Sequence, residues 1–346
     1  MCKEIVSTEP GKAIIRECED GLPGSHDVKV RVQYAAAKHG TEFAMFRDIS
    51  AFSENTFDEK LNMFIKCEDV NKVPYFMTPG NMWVGIITEI GVEVKNHQVG
   101  DQVAGYGGFR TVQIANENEV LKMENKMSWQ AAMCYDPAQF ALGGIRDGQI
   151  RLGDNVVIFG LGAIGLIAAQ MARLAGARKI IVCDPIEIRR EIALNYGADF
   201  AIDSTATDAG LEIKKMTAGR GADVTIETSG SYQALQQAIR GAAYNANVAV
   251  VGWYKECHGG LDFGMEAHFN QPNIFFSRAC SEPNRDYPRW SFDRINETCW
   301  ELLSAGKINC EKIINPVVAF KDAAQKYMDI EQNAVNSIKL GIDYSL

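Results

Sequence analysis

Short apolar runs and amphipathic stretches alternate along the middle of the chain. The apolar runs predict strands, and they cover residues 155–160, 178–184, 199–203, 222–230 and 247–253, with a further run at 273–280. The stretches between them have helical spacing and cover residues 161–177, 186–198, 211–219 and 232–242. Apolar strands separated by helices are typical of a parallel sheet that is covered on both faces. The pattern therefore predicts an α/β class with a doubly wound parallel sheet.

The first 125 residues have a different pattern, in which short strands dominate and few helices are expected. Strands are predicted at residues 12–18, 27–36, 83–91 and 109–115, separated by Gly, Pro, Asn and Asp. Ser128 is a suitable N-cap for a helix over residues 129–145, which we expect Pro137 to break. The end of the chain predicts helices at 294–306 and 319–332 and a last strand at 337–343. A β-rich region thus precedes the α/β region.

The composition indicates a globular protein of about two domains. The 346 residues are 47% apolar and 23% charged, which is close to globular averages. The formal net charge of −9 argues against a nucleic-acid partner, because there is no basic excess to replace counterions. The longest apolar run is too short to span a membrane comfortably, so no membrane partner is expected. The nine scattered cysteines form no CxxC pair, which predicts reduced, mostly buried thiols and a cytoplasmic location.

A glycine-rich turn links the first predicted strand of the parallel sheet to the helix that follows it. Its residues are Gly160-Leu161-Gly162-Ala163-Ile164-Gly165. In this context Gly160 allows a tight turn, Gly162 lets a pyrophosphate approach the backbone, and Gly165 lets helix and strand pack closely. The helix N-terminus adds N–H groups and a positive dipole. We therefore predict that the glycines, with Ala163 and Ile164, bind a dinucleotide.

An acidic residue at the end of the next predicted strand indicates which dinucleotide binds. Asp184 lies 19 residues after Gly165. A carboxylate in that position accepts hydrogen bonds from a ribose 2′-OH and repels a 2′-phosphate. The predicted cofactor is therefore NAD rather than NADP, with Arg189 placed to stack on the adenine. A methyltransferase can also pair a glycine-rich turn with an acid on the second strand, and it is the weaker alternative.

Two later strands end in residues that we also predict to contact the cofactor. Thr228 and Ser229 end one strand, and Gly252 and Trp253 end the next. Ligands of open parallel sheets bind outside the carboxyl ends of the strands. We expect the first pair to lie near the ribose or adenine and the second pair to lie near the nicotinamide.

The whole pattern resembles the medium-chain, alcohol dehydrogenase-like dehydrogenases over residues 20–346, with spacing nearest to the sorbitol and threonine dehydrogenase branch. The segments that carry the resemblance are 27–42, 79–106, 155–165, 184–203, 221–230 and 299–308. The resemblance implies a GroES-like catalytic domain built from residues 1–136 and 285–346, and a central Rossmann domain at 137–284. It also implies hydride transfer between a small hydroxylated substrate and nicotinamide, in a homodimer or homotetramer.

The chain departs from the family at the positions that usually hold a catalytic zinc ion. His39 stands where the family has a cysteine, the Gly-His-Glu segment reads Gly80-Asn81-Met82, and Asp136 stands at a later ligand position. Zinc needs three or four soft or borderline donors. Two plausible ligands remain, with Glu42 a guess for a third, so we predict no tight metal site. The family's four-cysteine structural zinc lobe is missing as well.

Without a metal, a side chain must take the hydroxyl proton when the alcohol is oxidised. His39 has a suitable pKa for this role near neutrality. We predict a metal-free cluster in which Lys38 stabilises a developing alkoxide, Asp136 orients the imidazole and Asn81 hydrogen-bonds the substrate. Thr41 matches the hydroxyl that relays protons to solvent in the family.

The predicted function is NAD-dependent oxidation of a secondary alcohol of a sugar, polyol or cyclitol-like molecule, without zinc. The polyol assignment depends on the resemblance to the branch. One alternative keeps the fold and changes the chemistry, since zinc-free relatives often reduce the C=C bond of enones or quinones. A second alternative is a non-catalytic nucleotide-binding protein, since the usual ligands have gone.

Overall fold

A computed structural model describes residues 2–66, 75–124, 126–255, 259–278 and 280–346. The chain forms two compact units. The first comprises Met1–Met133 with Ile314–Leu346, and the second comprises Cys134–Ile313. Both ends of the chain therefore belong to the first unit, whereas the second unit is a central segment.

The secondary structure consists of seventeen strands and ten helices within the described residues. The strands are β1 (Cys2–Glu9), β2 (Lys12–Cys18), β3 (Asp27–Ala36), β4 (Asn55–Asp58), β5 (Met63–Lys66), β6 (Met82–Ile90), β7 (Gln102–Tyr106), β8 (Val112–Asn116), β9 (Leu121–Lys122), β10 (Asn155–Phe159), β11 (Lys179–Cys183), β12 (Phe200–Ile202), β13 (Ala222–Glu227), β14 (Ala242–Val250), β15 (Asn273–Phe276), β16 (Ile314–Ala319) and β17 (Lys339–Asp343). The helices are α1 (His39–Phe46), α2 (Trp129–Met133), α3 (Tyr135–Asp147), α4 (Ala163–Leu174), α5 (Glu187–Asn195), α6 (Ala209–Met216), α7 (Tyr232–Gly241), α8 (Glu266–Asn270), α9 (Phe292–Ser304) and α10 (Phe320–Gln332). In the described part of the chain, none of these helices has both the length and the apolar character needed to cross a membrane.

The first unit is β-rich, as predicted. A seven-stranded sheet has β16-β17-β3-β6-β7-β9 in order, with β8 paired to β3, and β1 and β2 form a separate hairpin. Its core contains Trp83, Phe46 and Tyr327, all of which are almost completely buried. Because β17 pairs with β3, the last strand of the chain lies beside the segment that leads into α1.

The second unit contains the predicted doubly wound parallel sheet. Its six strands have the order β12-β11-β10-β13-β14-β15, and all five pairings between them are parallel. From β10 the following strands are added on one side of the sheet as far as β12, and from β13 they are added on the other side. Ligands of a Rossmann sheet usually bind at this point, where the strand order reverses. Val156, Val157 and Ile158 of β10 are fully buried, as expected for a strand covered on both faces.

The helix that we expected Pro137 to break is interrupted three residues earlier. Helix α2 ends at Met133 and α3 begins at Tyr135, so Pro137 lies in the first turn of α3. Proline is tolerated there because the first-turn N–H groups have no partner within the helix. The predicted N-cap is confirmed, since Ser128 Oγ accepts a hydrogen bond from Ala131 N at 3.2 Å.

The second unit also extends further than the predicted limit at residue 284. Helix α9 belongs to this unit, because it packs on α3, with Trp300 edge-on to Tyr135 at 5.3 Å between ring centroids. The amphipathic pattern of α9 gave no indication of which unit it would cover. The chain therefore passes from one unit to the other at residues 133/134 and 313/314, whereas the predicted boundaries are at 136/137 and 284/285.

The expectation of reduced thiols throughout the chain is wrong at one pair. Cys2 and Cys18 are joined by a disulfide, because β1 and β2 place them directly opposite each other. Cys134, Cys183, Cys299 and Cys310 are free and buried, and Cys280 is free and exposed. The remaining two cysteines, Cys67 and Cys257, lie outside the described residues.

Candidate active site

The glycine-rich turn has the geometry that a dinucleotide site requires. Gly160 has a φ of +82°, and a Cβ on it would lie 2.7 Å from Ser229 N. A Cβ on Gly165 would lie 1.8 Å from Gly160 O, so only glycine fits there. A Cβ on Gly162, by contrast, would enter open space. Since Gly162 is the N-cap of α4, the backbone N–H groups of the first helical turn, which begins with Ala163 and Ile164, lie next to that space.

Asp184 connects the turn to the end of β11. Its Oδ2 accepts a hydrogen bond from Leu161 N at 2.7 Å, and its Oδ1 accepts one from Ile186 N at 2.8 Å. The side chain of Arg189 lies 3.8 Å from Oδ2. Each carboxylate oxygen keeps further acceptor capacity, so Asp184 can fix the turn and still accept from a ribose hydroxyl.

A buried carboxylate that we did not predict organises the loop after β13. Glu227 accepts hydrogen bonds from Ser229 N at 2.7 Å and from Tyr254 Oη at 2.6 Å, and burial raises the pKa of this carboxyl. A Cβ on Gly252 would lie 2.8 Å from Glu227 Oε2. Glu227 therefore fixes two of the strand ends at which we predicted cofactor contacts.

The other residues predicted at these strand ends occupy the same edge of the sheet. Thr228 Oγ1 donates to Gly160 O at 2.8 Å, so it braces the glycine-rich turn. Trp253 is 36% exposed, with the Lys255 ammonium 5.6 Å from its ring centroid. A partly exposed aromatic ring therefore lies beside the carboxyl end of β14.

The predicted catalytic residues of the first unit lie where β3 leads into α1. Lys38 is the N-cap of α1 and His39 is its first residue, with Thr41 in the same turn. The His39 ring stacks on Phe43 with 4.9 Å between centroids. Leu340 N donates to His39 Nε2 at 3.3 Å, which corresponds to a neutral imidazole with its proton on Nδ1. Asp136 is buried in the first turn of α3, in the second unit.

Glu42 is the centre of a buried hydrogen-bond network that sequence reasoning did not find. Its Oε2 accepts from Tyr327 Oη at 3.0 Å and from Gly80 N at 3.2 Å. Its Oε1 accepts from Lys38 N. Burial raises the pKa of the Glu42 carboxyl, and the charge of Lys339 acts in the opposite direction. Burial, together with the same carboxyl, raises the pKa of the Tyr327 hydroxyl.

Lys339 completes this network from β17. It is 3% exposed, and its Nζ donates to Ala37 O at 2.6 Å and to Asn81 Oδ1 at 3.5 Å. Asn81 itself is half-buried. The structure therefore brings His39, Glu42, Asn81 and Lys339 together around the start of α1. The position of Lys339 inside the predicted strand 337–343 is the signal that could have pointed to it.

The donor set at this place does not fit zinc. Met82 is fully buried in the core, and Asn81 Oδ1 faces an ammonium group rather than a vacant ligand position. Within the described ranges, no three His, Cys, Asp or Glu side chains are grouped as metal ligands. A divalent cation beside the buried charge of Lys339 would be repelled.

Two glycine substitutions separate the cofactor role of the turn from its structural role. Gly165→Ala is expected to destabilise the protein by about 3 kcal/mol or more, because its Cβ overlaps Gly160 O. Gly162→Ala is expected to lower the free energy of unfolding by at most about 1 kcal/mol, because it changes only the N-cap residue of α4. It should nevertheless weaken NAD⁺ binding at least roughly tenfold, since its Cβ occupies the open space next to α4. Chemical denaturation and calorimetric titration measure the two effects, and unchanged NAD⁺ binding in Gly162→Ala would contradict the assignment.

Comparison with known proteins places these features in a family. A sequence model described as zinc-binding dehydrogenase matches residues 163–296. D-guloside 3-dehydrogenase of Escherichia coli K12 is 47% identical over 349 residues, which cover 99% of this chain and 100% of the relative.

Two solved structures share the fold of the whole chain. Galactitol-1-phosphate dehydrogenase from Escherichia coli has a TM-score of 0.77 at 20% identity, with 99% of each chain covered. A zinc-binding dehydrogenase from Sinorhizobium meliloti bound to NADP has a TM-score of 0.77 at 18% identity, also with 99% of each chain covered. These likenesses confirm the combination of a GroES-like β-rich domain with a Rossmann sheet. Together with the full-length relative, they establish that the chain belongs to the medium-chain, alcohol dehydrogenase-like family of dehydrogenases.

Proposed function

We propose that this enzyme is an NAD-dependent dehydrogenase that oxidises a secondary alcohol of a sugar, polyol or cyclitol-like molecule without zinc. The observation that carries the substrate class is the 47% identity, over the full length of both chains, to a D-guloside 3-dehydrogenase. A glycoside or a related cyclic polyol is therefore the first substrate to test.

The residues at the carboxyl edge of the parallel sheet support NAD as the cofactor. The open space at Gly162 suits a pyrophosphate, and the buried carboxylate of Asp184 suits a ribose 2′-OH. Arg189 lies beside Asp184 and is proposed to stack on the adenine. Ser229 and Thr228 would line the ribose side, and Gly252 and Trp253 would line the nicotinamide side. When bound, nicotinamide supplies the hydride acceptor.

His39 is the proposed acid/base. Its neutral imidazole is the form that can take the hydroxyl proton during oxidation and return it during reduction. Its Nε2 accepts a hydrogen bond from the Leu340 N–H at 3.3 Å, which is longer than the usual range of about 2.7–3.2 Å. This contact can therefore be given up when the ring takes a proton. We propose that Lys38 stabilises the alkoxide, Thr41 relays the proton to solvent and Asp136 orients the imidazole.

The donor chemistry around Asn81 supports a metal-free site. Since zinc does not fit beside the Lys339 ammonium, no step of the proposed reaction uses a metal ion. Proton transfer then depends on side chains alone, and turnover should survive removal of divalent cations.

A panel of substrates tests this function against its alternatives. We expect NADH formation at 340 nm from NAD⁺ with glycosides, polyols or cyclitols. Enone or quinone substrates should give little NAD(P)H oxidation. The reverse pattern would favour the C=C reductase alternative, and cofactor binding without turnover on either set would favour the non-catalytic alternative.

We also propose that the enzyme is a homodimer or homotetramer. Strand β15 is the edge of the six-stranded sheet, and Phe276 at its end is 70% exposed. An exposed apolar edge strand is a ready template for pairing with another chain. Light scattering of the purified enzyme measures the assembly, and a monomer at micromolar concentration would contradict it.

A further inference from the structure

The buried ammonium of Lys339 faces one polar side chain at the site, with Nζ 3.5 Å from Asn81 Oδ1. An ammonium group carries donors only, so the Asn81 atom that faces Nζ is the carbonyl oxygen. The Asn81 amide therefore turns its NH₂ group away from Lys339. Among the described residues, none accepts a hydrogen bond from Asn81 Nδ2, which leaves both of its N–H bonds available to a ligand.

The backbone around Asn81 is held on both sides. Asn81 N donates to Ala36 O at 3.0 Å, and Asn81 O accepts from Gly107 N at 3.0 Å. The preceding residue, Gly80, has a φ of +118° and donates to Glu42. The amide is therefore presented from a rigid frame, as a preorganised donor must be.

Glu42 is a carboxyl group close enough to Lys339 to interact with its charge. A lysine that is 3% exposed needs an acidic neighbour, since an isolated buried charge is strongly disfavoured. The Glu42 carboxyl interacts electrostatically with Lys339, and it accepts three hydrogen bonds from N–H and O–H donors. The network thus runs from Glu42 through Lys339 to Asn81. It ends at the NH₂ group of Asn81, which donates no hydrogen bond to the described part of the chain.

We infer that Asn81, oriented by Lys339, is the hydrogen-bond donor that stabilises negative charge on the substrate oxygen. This inference depends on the proposed alcohol oxidation. In that reaction the carbinol C–H bond breaks and its hydrogen passes with the bonding electron pair to NAD⁺ as a hydride. The O–H bond also breaks, its proton passes to His39, and the electron pair left on oxygen forms the C=O bond. The N–H bonds of Asn81 stay intact and donate to the oxygen as its charge develops. Lys339 is the positioning residue, and Asn81 takes the polarising role that a metal ion would fill.

Asn81→Asp is the sharpest test, because it exchanges the NH₂ donor for a second acceptor at nearly constant size. The new carboxylate would lie beside Lys339, so the variant should fold. We expect kcat to fall roughly 100- to 1000-fold, with NAD⁺ binding unchanged and no zinc gained after dialysis against ZnCl₂. Asn118→Asp is the matched control, because Asn118 is exposed in the same unit, and its kcat should equal that of the wild type.

Lys339 is tested by its effect on the Asn81 donor. Lys339→Met removes the group that orients the amide, so kcat should fall about tenfold or more while the KM for NAD⁺ changes little. Lys339→Arg keeps a cation and several donors, and it should recover at least part of the lost kcat. If Lys339 had only a structural role, both variants should lose thermal stability, and kcat and the affinity for NAD⁺ should fall together.

The outcomes separate this inference from the proposed function. No turnover of any alcohol or ketone by the wild type would overturn the proposed function and the inference with it. Wild-type turnover together with an undiminished kcat in Asn81→Asp would overturn the inference alone. A rise in both zinc content and kcat in Asn81→Asp would show that position 81 serves a metal, which also overturns it.

Discussion

Replacing His39 by glutamine is expected to lower kcat by roughly 100- to 10,000-fold, the range associated with loss of a general acid or base. The glutamine amide oxygen can still accept the Leu340 N–H bond that His39 Nε2 accepts at 3.3 Å. It cannot exchange a proton near neutral pH. The variant should therefore keep its fold and its NAD⁺ affinity, and the loss should appear in kcat during oxidation at 340 nm.

His26→Gln is the matched control for this experiment. His26 is exposed in the same unit, so its replacement should leave kcat and the unfolding temperature unchanged. A decrease in activity that reflects proton transfer should also remove an ionisation from the pH profile of kcat. If His39→Gln turns over at the wild-type rate, another group accepts the proton, and the assignment of His39 is wrong.

Replacing Asp184 by asparagine is expected to reduce the preference for NAD⁺ over NADP⁺. The measured quantity is the ratio of kcat/KM for the two cofactors. Asp184 also holds Leu161 N and Ile186 N, so its replacement will disturb the turn to some extent for both cofactors. That disturbance cancels in the ratio. Loss of a charged hydrogen bond to the ribose should lower the ratio about 10- to 150-fold, and loss of repulsion toward the 2′-phosphate should lower it further.

Asp203→Asn is the control for the charge change. Asp203 follows β12 and pairs with Arg190 at 3.3 Å, so it lies near Asp184 in the fold without touching the glycine-rich turn. Its replacement should leave the cofactor ratio near the wild-type value. A wild-type enzyme that prefers NADP⁺, or an unchanged ratio in Asp184→Asn, would contradict the role given to Asp184.

The central sheet could be predicted from sequence because local pattern determines it. Each of its strands is a short apolar run, and most are separated by stretches with helical spacing. The glycine-rich turn is also local, since six consecutive residues carry its geometry. The structure adds that Gly160 packs against Ser229, which is a contact between distant parts of the chain.

The network around Glu42 could not be predicted in the same way. Tyr327 is separated from Glu42 by 285 positions, and its hydrogen bond forms only because α10 and β17 return to the sheet beside α1. No local pattern shows which side chain will meet a buried carboxylate. Glu42 is predicted only as a possible metal ligand, whereas in the structure it accepts three hydrogen bonds from protein donors.

Two structural features differ from their predictions because a local rule does not hold in their context. Proline breaks a helix interior, but Pro137 lies in the first turn of α3, where the rule does not apply. Scattered cysteines indicate free thiols, but the hairpin of β1 and β2 brings Cys2 opposite Cys18. Sequence spacing alone does not show a cross-strand pair when β1 has not been predicted.

The central claim is that this dehydrogenase oxidises a sugar or polyol hydroxyl with NAD⁺ and without zinc. The most direct test is to measure NADH formation by enzyme whose zinc content has been determined, before and after treatment with a chelator. We expect full turnover at far less than one zinc per chain, with no gain when zinc is added back. Turnover that disappears with the chelator and returns in proportion to bound zinc would contradict it.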